Sequence, residues 1–172
     1  MRNSSLLIVL CLMLSVTSGC ATIEGFFGGL TPTQIAPLVD TGATTAASIA
    51  VTHKVIKPAL AAKIVVVLQA ALPTVQTLQT SNDITTALLP VINTQLAKVV
   101  TDPTELTIAT STIQASLNLA VNYLNTKYPA YKNNQPAVVA IVSAAVQGTI
   151  DGLNQGIAIV NAQAATSQPA TK

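Results

Sequence analysis

Side chains capable of chemistry are few in this sequence of 172 residues, which holds one histidine, two cysteines and six acidic residues. Because His53 is the only histidine, a metal site built from several histidines is excluded, and a Ser-His-Asp triad would have to use His53. The chain has neither a phosphate-binding glycine loop nor a nucleophile elbow. General acid–base catalysis therefore has few candidates, and we expect no enzymatic activity, no cofactor and no bound metal.

The remaining polar candidates have structural interpretations. His53 falls near the end of a predicted helix, on its apolar side, which predicts a partly buried structural histidine. Asp102 and Glu105 resemble an acid pair, but their spacing is that of a helix N-cap and the third helical position. Carboxylates at both positions are favoured by the helix dipole. We interpret this pair as a helix cap.

Charge is scarce, since 50% of the residues are hydrophobic, only 8% are charged and the net charge is +2. A typical globular domain is about 25% charged, so threonine, asparagine, glutamine and serine must cover this surface. Without a run of lysine or arginine, we expect no nucleic-acid partner. Lys54, Lys57 and Lys63 form a small basic cluster, which we interpret as a solvated end of the domain, with an anionic partner as the alternative.

The N-terminus has the order of a secretory signal. Arg2 is followed by an apolar run from Leu6 to Leu14 and then by small polar residues up to Gly19. The apolar run is too short to span a bilayer, which needs about 20 apolar residues. We therefore expect residues 1–19 to be a signal peptide.

The residues Ser18-Gly19-Cys20 resemble the lipobox of bacterial lipoproteins, although Thr17 stands where the family has an aliphatic residue. The resemblance implies that Cys20 is lipidated and becomes the N-terminus, so that the protein contacts the membrane through Cys20. The residue that follows, Ala21, implies the periplasmic face of the outer membrane. Cleavage after Ser18 would instead give a soluble periplasmic or secreted protein.

Apolar residues recur at spacings of three and four through the rest of the chain, which predicts an all-α antiparallel bundle of about five helices. Thr31 and Asp102 are expected to cap the first and fourth helices, and kinks are expected at Pro73 and Pro90. The apolar run at 64–68 could instead be a buried strand. We expect a lipidated tether over 20–30, the bundle over 31–163 and a disordered tail over 164–172.

The first helix is expected to bury one face. This face consists of Ile35, Leu38, Gly42, Ala46, Ile49, His53 and Ile56.

The last helix carries small residues at every fourth position, which places them on one line. We call this line the small-residue ridge; it consists of Ala140, Ala144, Gly148, Gly152 and Gly156. Glycine inside a helix costs about 1 kcal/mol relative to alanine, so the ridge requires a compensating close contact. The first helix offers a matching ridge at Gly42, Ala46 and Ala50. Close packing inside the bundle is the main interpretation, and self-association or membrane insertion are the alternatives.

The five aromatic residues lie in two short stretches of the chain, Phe26-Phe27 and Tyr123-Tyr128-Tyr131. In an alternating bundle, both stretches fall at the end where the first helix begins. Phe26, Phe27, Tyr128 and Tyr131 would then either face the membrane interface or close that end of the bundle.

The sequence therefore favours a structural or protein-interaction module held at a membrane, with an unknown protein partner or self-association. The alternative is a carrier that binds an apolar small ligand between its helices.

Overall fold

The computed structural model describes residues 30–166, which form five α-helices and no strand. The helices are α1 (Pro32–Thr52), α2 (Pro58–Val75), α3 (Leu89–Val99), α4 (Pro103–Asn122) and α5 (Gln135–Thr166). The prediction of an all-α bundle is confirmed. The apolar run at 64–68 lies inside α2, so the alternative of a buried strand is wrong.

Helix starts follow the local capping chemistry. The N–H of Thr31 donates to Gln34 Oε1 at 2.9 Å, as in a capping box, and Pro32 follows in the first turn of α1. The Asp102 carboxylate accepts a hydrogen bond from the Glu105 N–H at 2.8 Å at the start of α4. Both helix starts lie where the sequence predicts them.

Consecutive helices alternate in direction. At one end, the Ser81 hydroxyl donates to Asn125 Oδ1 at 2.6 Å, which joins the α2–α3 connection to the chain that follows α4. At the other end, Lys57 just before α2 pairs with Glu105 in the first turn of α4 at 3.2 Å. The close contacts between α1 and α5 run in parallel, so α1 begins at the end that holds Ser81. We call this the entry end and the opposite one the far end.

Prolines inside the helices are accommodated in two ways. Pro73 lies within α2 and Pro37 within α1, and both helices continue past them. Around the expected kink at Pro90, the backbone instead winds as a π-helix over Ile84–Leu88 before α3 begins. Proline lacks an N–H, and its ring crowds the carbonyl four residues earlier, which the wider turn relieves.

Burial in α1 differs from the expected face by one position. Leu38 is 41% exposed, whereas Val39 is fully buried, along with Ala43 and Ala47. The expected face is confirmed at Ile35 and Ile56, which are fully buried, and is wrong at Leu38. Its other apolar positions, Gly42, Ala46 and Ile49, are half-buried. α1 and α5 form the most extensive helix pair in the described range, and this contact determines which side of α1 is buried.

The longest helix is α5, whose 32 residues extend for about 48 Å. Its last residues, 161–166, are exposed and continue beyond the residues of α5 that pack against α1. The predicted tail begins three residues too early, because the helix runs to Thr166. The rest of that tail lies outside the described residues.

The end of α1 is a Schellman motif with a lysine at its left-handed position. Lys54 has a φ of 60°, and the N–H of Val55 donates to the Ala50 carbonyl at 3.0 Å while that of Lys54 donates to Val51 at 2.9 Å. His53 is the C-cap and is exposed, so the expectation of a partly buried histidine is wrong.

Replacing Lys54 with glycine is expected to stabilise the protein by about 1 kcal/mol, because glycine adopts positive φ without a Cβ penalty. Lys63→Gly is the matched control, since it removes the same charge from an exposed position inside α2. This control is expected to cost about 1 kcal/mol. Denaturant unfolding curves measure both changes, and a Lys54→Gly variant less stable than the parent would contradict this account of the turn.

Candidate functional site

Several predicted functional residues lie outside the described range. These are Cys20, Phe26 and Phe27, together with the expected signal peptide over 1–19. Lipidation and membrane contact through these residues stay predictions.

The three glycines of the small-residue ridge lie against the backbone of α1. A Cβ added at Gly148 or Gly152 would meet the carbonyl oxygen of Asp40 or Thr44, respectively. A Cβ added at Gly156 would lie 2.6 Å from the Cβ of Val51. The backbones of α1 and α5 therefore approach too closely for any side chain larger than hydrogen on this line.

The facing positions on α1 differ from the expected ones. The carbonyls of Asp40, Thr44 and Ser48 face the three glycines in order, so the two helices keep one register over two turns. The expected matching ridge is wrong at Gly42, whose added Cβ would instead contact Leu119 of α4 at 3.4 Å. Because α1 covers the three glycines, only the Ala140 and Ala144 part of the ridge stays partly exposed.

A groove opens where the ridge changes from glycine to alanine. It has a volume of about 930 Å³ and lies between the first half of α1, the last half of α2 and the first half of α5. Its apolar walls are formed by Ala36, Pro37, Leu72, Pro73, Ala140 and Ala144. These side chains are small or compact, and they leave an open channel near the entry end.

Two prolines that line the groove interrupt the backbone hydrogen bonds of α1 and α2. Pro37 and Pro73 have no N–H, so the carbonyls of Thr33 and Gln69, four residues earlier, lose their regular helical donors. All four residues line the groove. The groove therefore lies beside two positions at which the regular helical hydrogen bonding of α1 and α2 is interrupted.

Asp40 adds a carboxylate to the wall of the groove. Partial burial raises the pKa of Asp40, and the negative charge of Asp151 on α5 raises it further. Asp151 itself accepts a hydrogen bond from Gln147 at 2.9 Å. Among the residues that line it, the groove holds one acidic side chain, Asp40, and no basic one.

A tyrosine cluster occupies the connection between α4 and α5. The rings of Tyr123 and Tyr128 stack with centroids 6.2 Å apart and planes at 10°, and Tyr128 and Tyr131 stack at 6.2 Å and 30°. All three side chains are half-buried and pack against the core. The cluster lies at the entry end, where α1 also begins, as an alternating bundle of five helices requires.

The described residues contain no group of three or more histidine, cysteine, aspartate or glutamate side chains that could hold a metal ion. Two helices, α2 and α5, are long and apolar enough to cross a membrane by length and composition. Within their most apolar windows, 44% and 61% of the residues, respectively, are buried inside the bundle.

Comparisons with protein-family models, with curated proteins and with solved structures gave no match.

Substitution at Gly152 tests the close contact. Gly152→Ala is expected to cost about 1–3 kcal/mol, because its Cβ would overlap Thr44 and lie 2.8 Å from Ala47 Cβ, and Gly152→Leu should cost more. Gly42→Ala is the control and should gain about 0.4–1 kcal/mol, because its Cβ meets only the tip of Leu119. Unfolding midpoints that rise for both alanine variants would exclude backbone contact at the ridge.

Asp40→Asn is expected to stabilise the protein at pH 7. Because its pKa is raised, the Asp40 carboxyl binds a proton more tightly in the folded protein than in the unfolded chain. The free energy that Asp40 contributes to folding therefore becomes less favourable as the pH rises above the ordinary pKa of 3.8. The advantage of Asp40→Asn should shrink as pH falls toward that value. Asp151→Asn should give part of the same gain. An Asp40→Asn advantage that grows on acidification would show that the pKa is lowered instead.

Proposed function

We propose that this protein is a non-catalytic lipoprotein, anchored to the periplasmic face of the outer membrane through Cys20, which acts as a structural or protein-interaction module. The observation that carries the anchor is the Ser18-Gly19-Cys20 sequence after a short apolar run. With Cys11 removed in the signal peptide, Cys20 is the single cysteine of the mature chain, and lipidation gives it a role.

The direction of the bundle supports this arrangement. α1 begins at Pro32, so a short tether over 20–30 joins the anchor to the entry end. The same end carries the half-buried Tyr128 and Tyr131, whose rings have an apolar body and a polar hydroxyl. Such residues are favoured at a membrane interface. In this orientation the entry end faces the lipid.

The far end then points into the periplasm. There α5 continues as an exposed helix through residues 161–166, which are Asn, Ala, Gln and Thr and carry no charge. This segment is neutral and gives little electrostatic steering by itself, whereas the exposed Lys54, Lys57 and Lys63 lie at the same end of the bundle. We propose that the segment contacts another protein through hydrogen bonds and small apolar residues.

The groove bears on the choice between an interaction module and a carrier. A carrier of an apolar small ligand would be favoured by an enclosed apolar cavity that buries most of the ligand. The groove is instead an open channel lined by alanine, proline and polar side chains, and the bundle beneath it is packed with fully buried residues. These features support the interaction module over the carrier.

Cys20→Ser tests the anchor. The variant is expected to stay unprocessed or become soluble, and it should lose incorporation of radiolabelled palmitate, because no thiol remains for lipidation. Cys11→Ser is the matched control and should be processed and labelled like the parent, since this residue lies in the removed segment.

The mass of the mature N-terminus separates the two export routes. A lipid-modified Cys20 is the expected result. A chain that begins at unmodified Gly19, or a Cys20→Ser variant that is still processed and membrane-bound, would refute the lipoprotein assignment.

A further inference from the structure

Residues 127–132, which we call the tyrosine loop, lie between α4 and α5 at the entry end. Lys127 and Lys132 are exposed, and they flank the half-buried Tyr128 and Tyr131. The two tyrosine rings stack with their centroids 6.2 Å apart. Burial raises the pKa of Tyr128, and the nearby positive charge of Lys127 opposes that rise. The loop therefore combines a compact aromatic pair with two cationic side chains.

The positive charge of the tyrosine loop has little competition from carboxylates. No acidic residue occurs in the sequence between Glu105 and Asp151. Among the described residues, the acid at the entry end is Asp83, whose carboxylate accepts hydrogen bonds from the N–H groups of Gln79 and Thr80, both at 2.8 Å. These bonds lower the pKa of Asp83 and hold its carboxylate within its own turn. Two lysines and one aspartate leave the entry end with a surplus of positive charge.

Aromatic rings together with lysines fit the surface of an anionic phospholipid bilayer. Tyrosine is favoured at the level of the headgroups, where its ring is in an apolar environment and its hydroxyl is in water. An anionic leaflet attracts lysine, and each lysine near the surface strengthens binding about fivefold. An acidic protein would pair with the lysines alone, whereas a bilayer satisfies both the lysines and the tyrosine rings.

The point at which the chain enters the bundle favours the same partner. α1 begins at Pro32, at the end that carries the tyrosine loop. An anchor at Cys20 would therefore hold this loop near the bilayer at a high effective concentration. Under that condition, even a weak contact is enough to orient the bundle.

We propose that the tyrosine loop docks on anionic phospholipid headgroups, with Lys127 and Lys132 at the phosphate groups and Tyr128 and Tyr131 at the interface. This inference rests on the orientation proposed above and specifies the lipid chemistry that the entry end recognises. Together the two lysines shift the equilibrium between undocked and docked bundles about 25-fold toward docking. The docked loop orients the anchored bundle with its far end away from the bilayer.

Intrinsic fluorescence measures this contact directly. The protein has no tryptophan, and its three tyrosines are Tyr123, Tyr128 and Tyr131, so its emission comes from the entry end. A chain of residues 20–172, which contains the whole described bundle, is coupled through the Cys20 thiol to a maleimide phospholipid in vesicles. The coupling replaces any lipid that a cell would add, so the result does not depend on the lipoprotein assignment.

The vesicles also contain a phospholipid with a nitroxide on its headgroup, which quenches nearby tyrosines. We expect stronger quenching with phosphatidylglycerol in the vesicles than with phosphatidylcholine in its place. Salt at about 1 M, where the screening length is about 3 Å, should remove this difference. Lys127→Gln combined with Lys132→Gln should weaken docking about 25-fold. Lys54→Gln combined with Lys98→Gln is the matched control at the far end and should leave quenching unchanged.

Equal quenching on both kinds of vesicle would overturn the proposal, as would an equal loss of quenching in the Lys54 and Lys98 control. If the variant at Lys127 and Lys132 does not fold, the salt dependence of the parent protein decides the question. Absence of docking together with a lipid-modified Cys20 in cells would refute headgroup recognition and leave the anchor intact.

Discussion

The backbone contact between α1 and α5 is the constraint on which the rest of the bundle depends. Gly148 and Gly152 lie directly against carbonyls of α1, and Gly156 lies against the Val51 side chain and the Ser48 carbonyl. Close approach gains dispersion contacts along both backbones, which offsets the cost of glycine inside a helix. The contact also determines the rotation of α1, and with it which residues of α1 face α2 and α4.

The groove lies at the end of α5 where the backbone contact with α1 stops. Where the ridge changes to Ala144 and Ala140, each position carries a methyl group, and Pro37 and Pro73 add compact apolar walls. Close packing toward the far end therefore leaves an open channel near the entry end. α1 begins at the same end of the bundle as this channel.

Local chemistry made much of this fold predictable. The capping residues Thr31 and Asp102 and the fourfold spacing of the ridge are readable in the sequence, because each acts within one or two helical turns. The buried face of α1 was predicted one position away, since Leu38 and Val39 are both apolar and only contact with α5 selects between them. The groove depends on three helices that are distant in the chain, and the π-helix over Ile84–Leu88 has no signal beyond the nearby Pro90.

Native-state hydrogen exchange tests the central claim most directly, because it measures the stability of each helix separately. If the α1–α5 contact holds the bundle together, amides at 43–51 and 145–156 should exchange only through global unfolding. Amides of α3, which packs at the periphery of this pair, should exchange through smaller openings. Exchange of the α1 amides at a free energy well below that of global unfolding, with α3 more protected, would contradict this account.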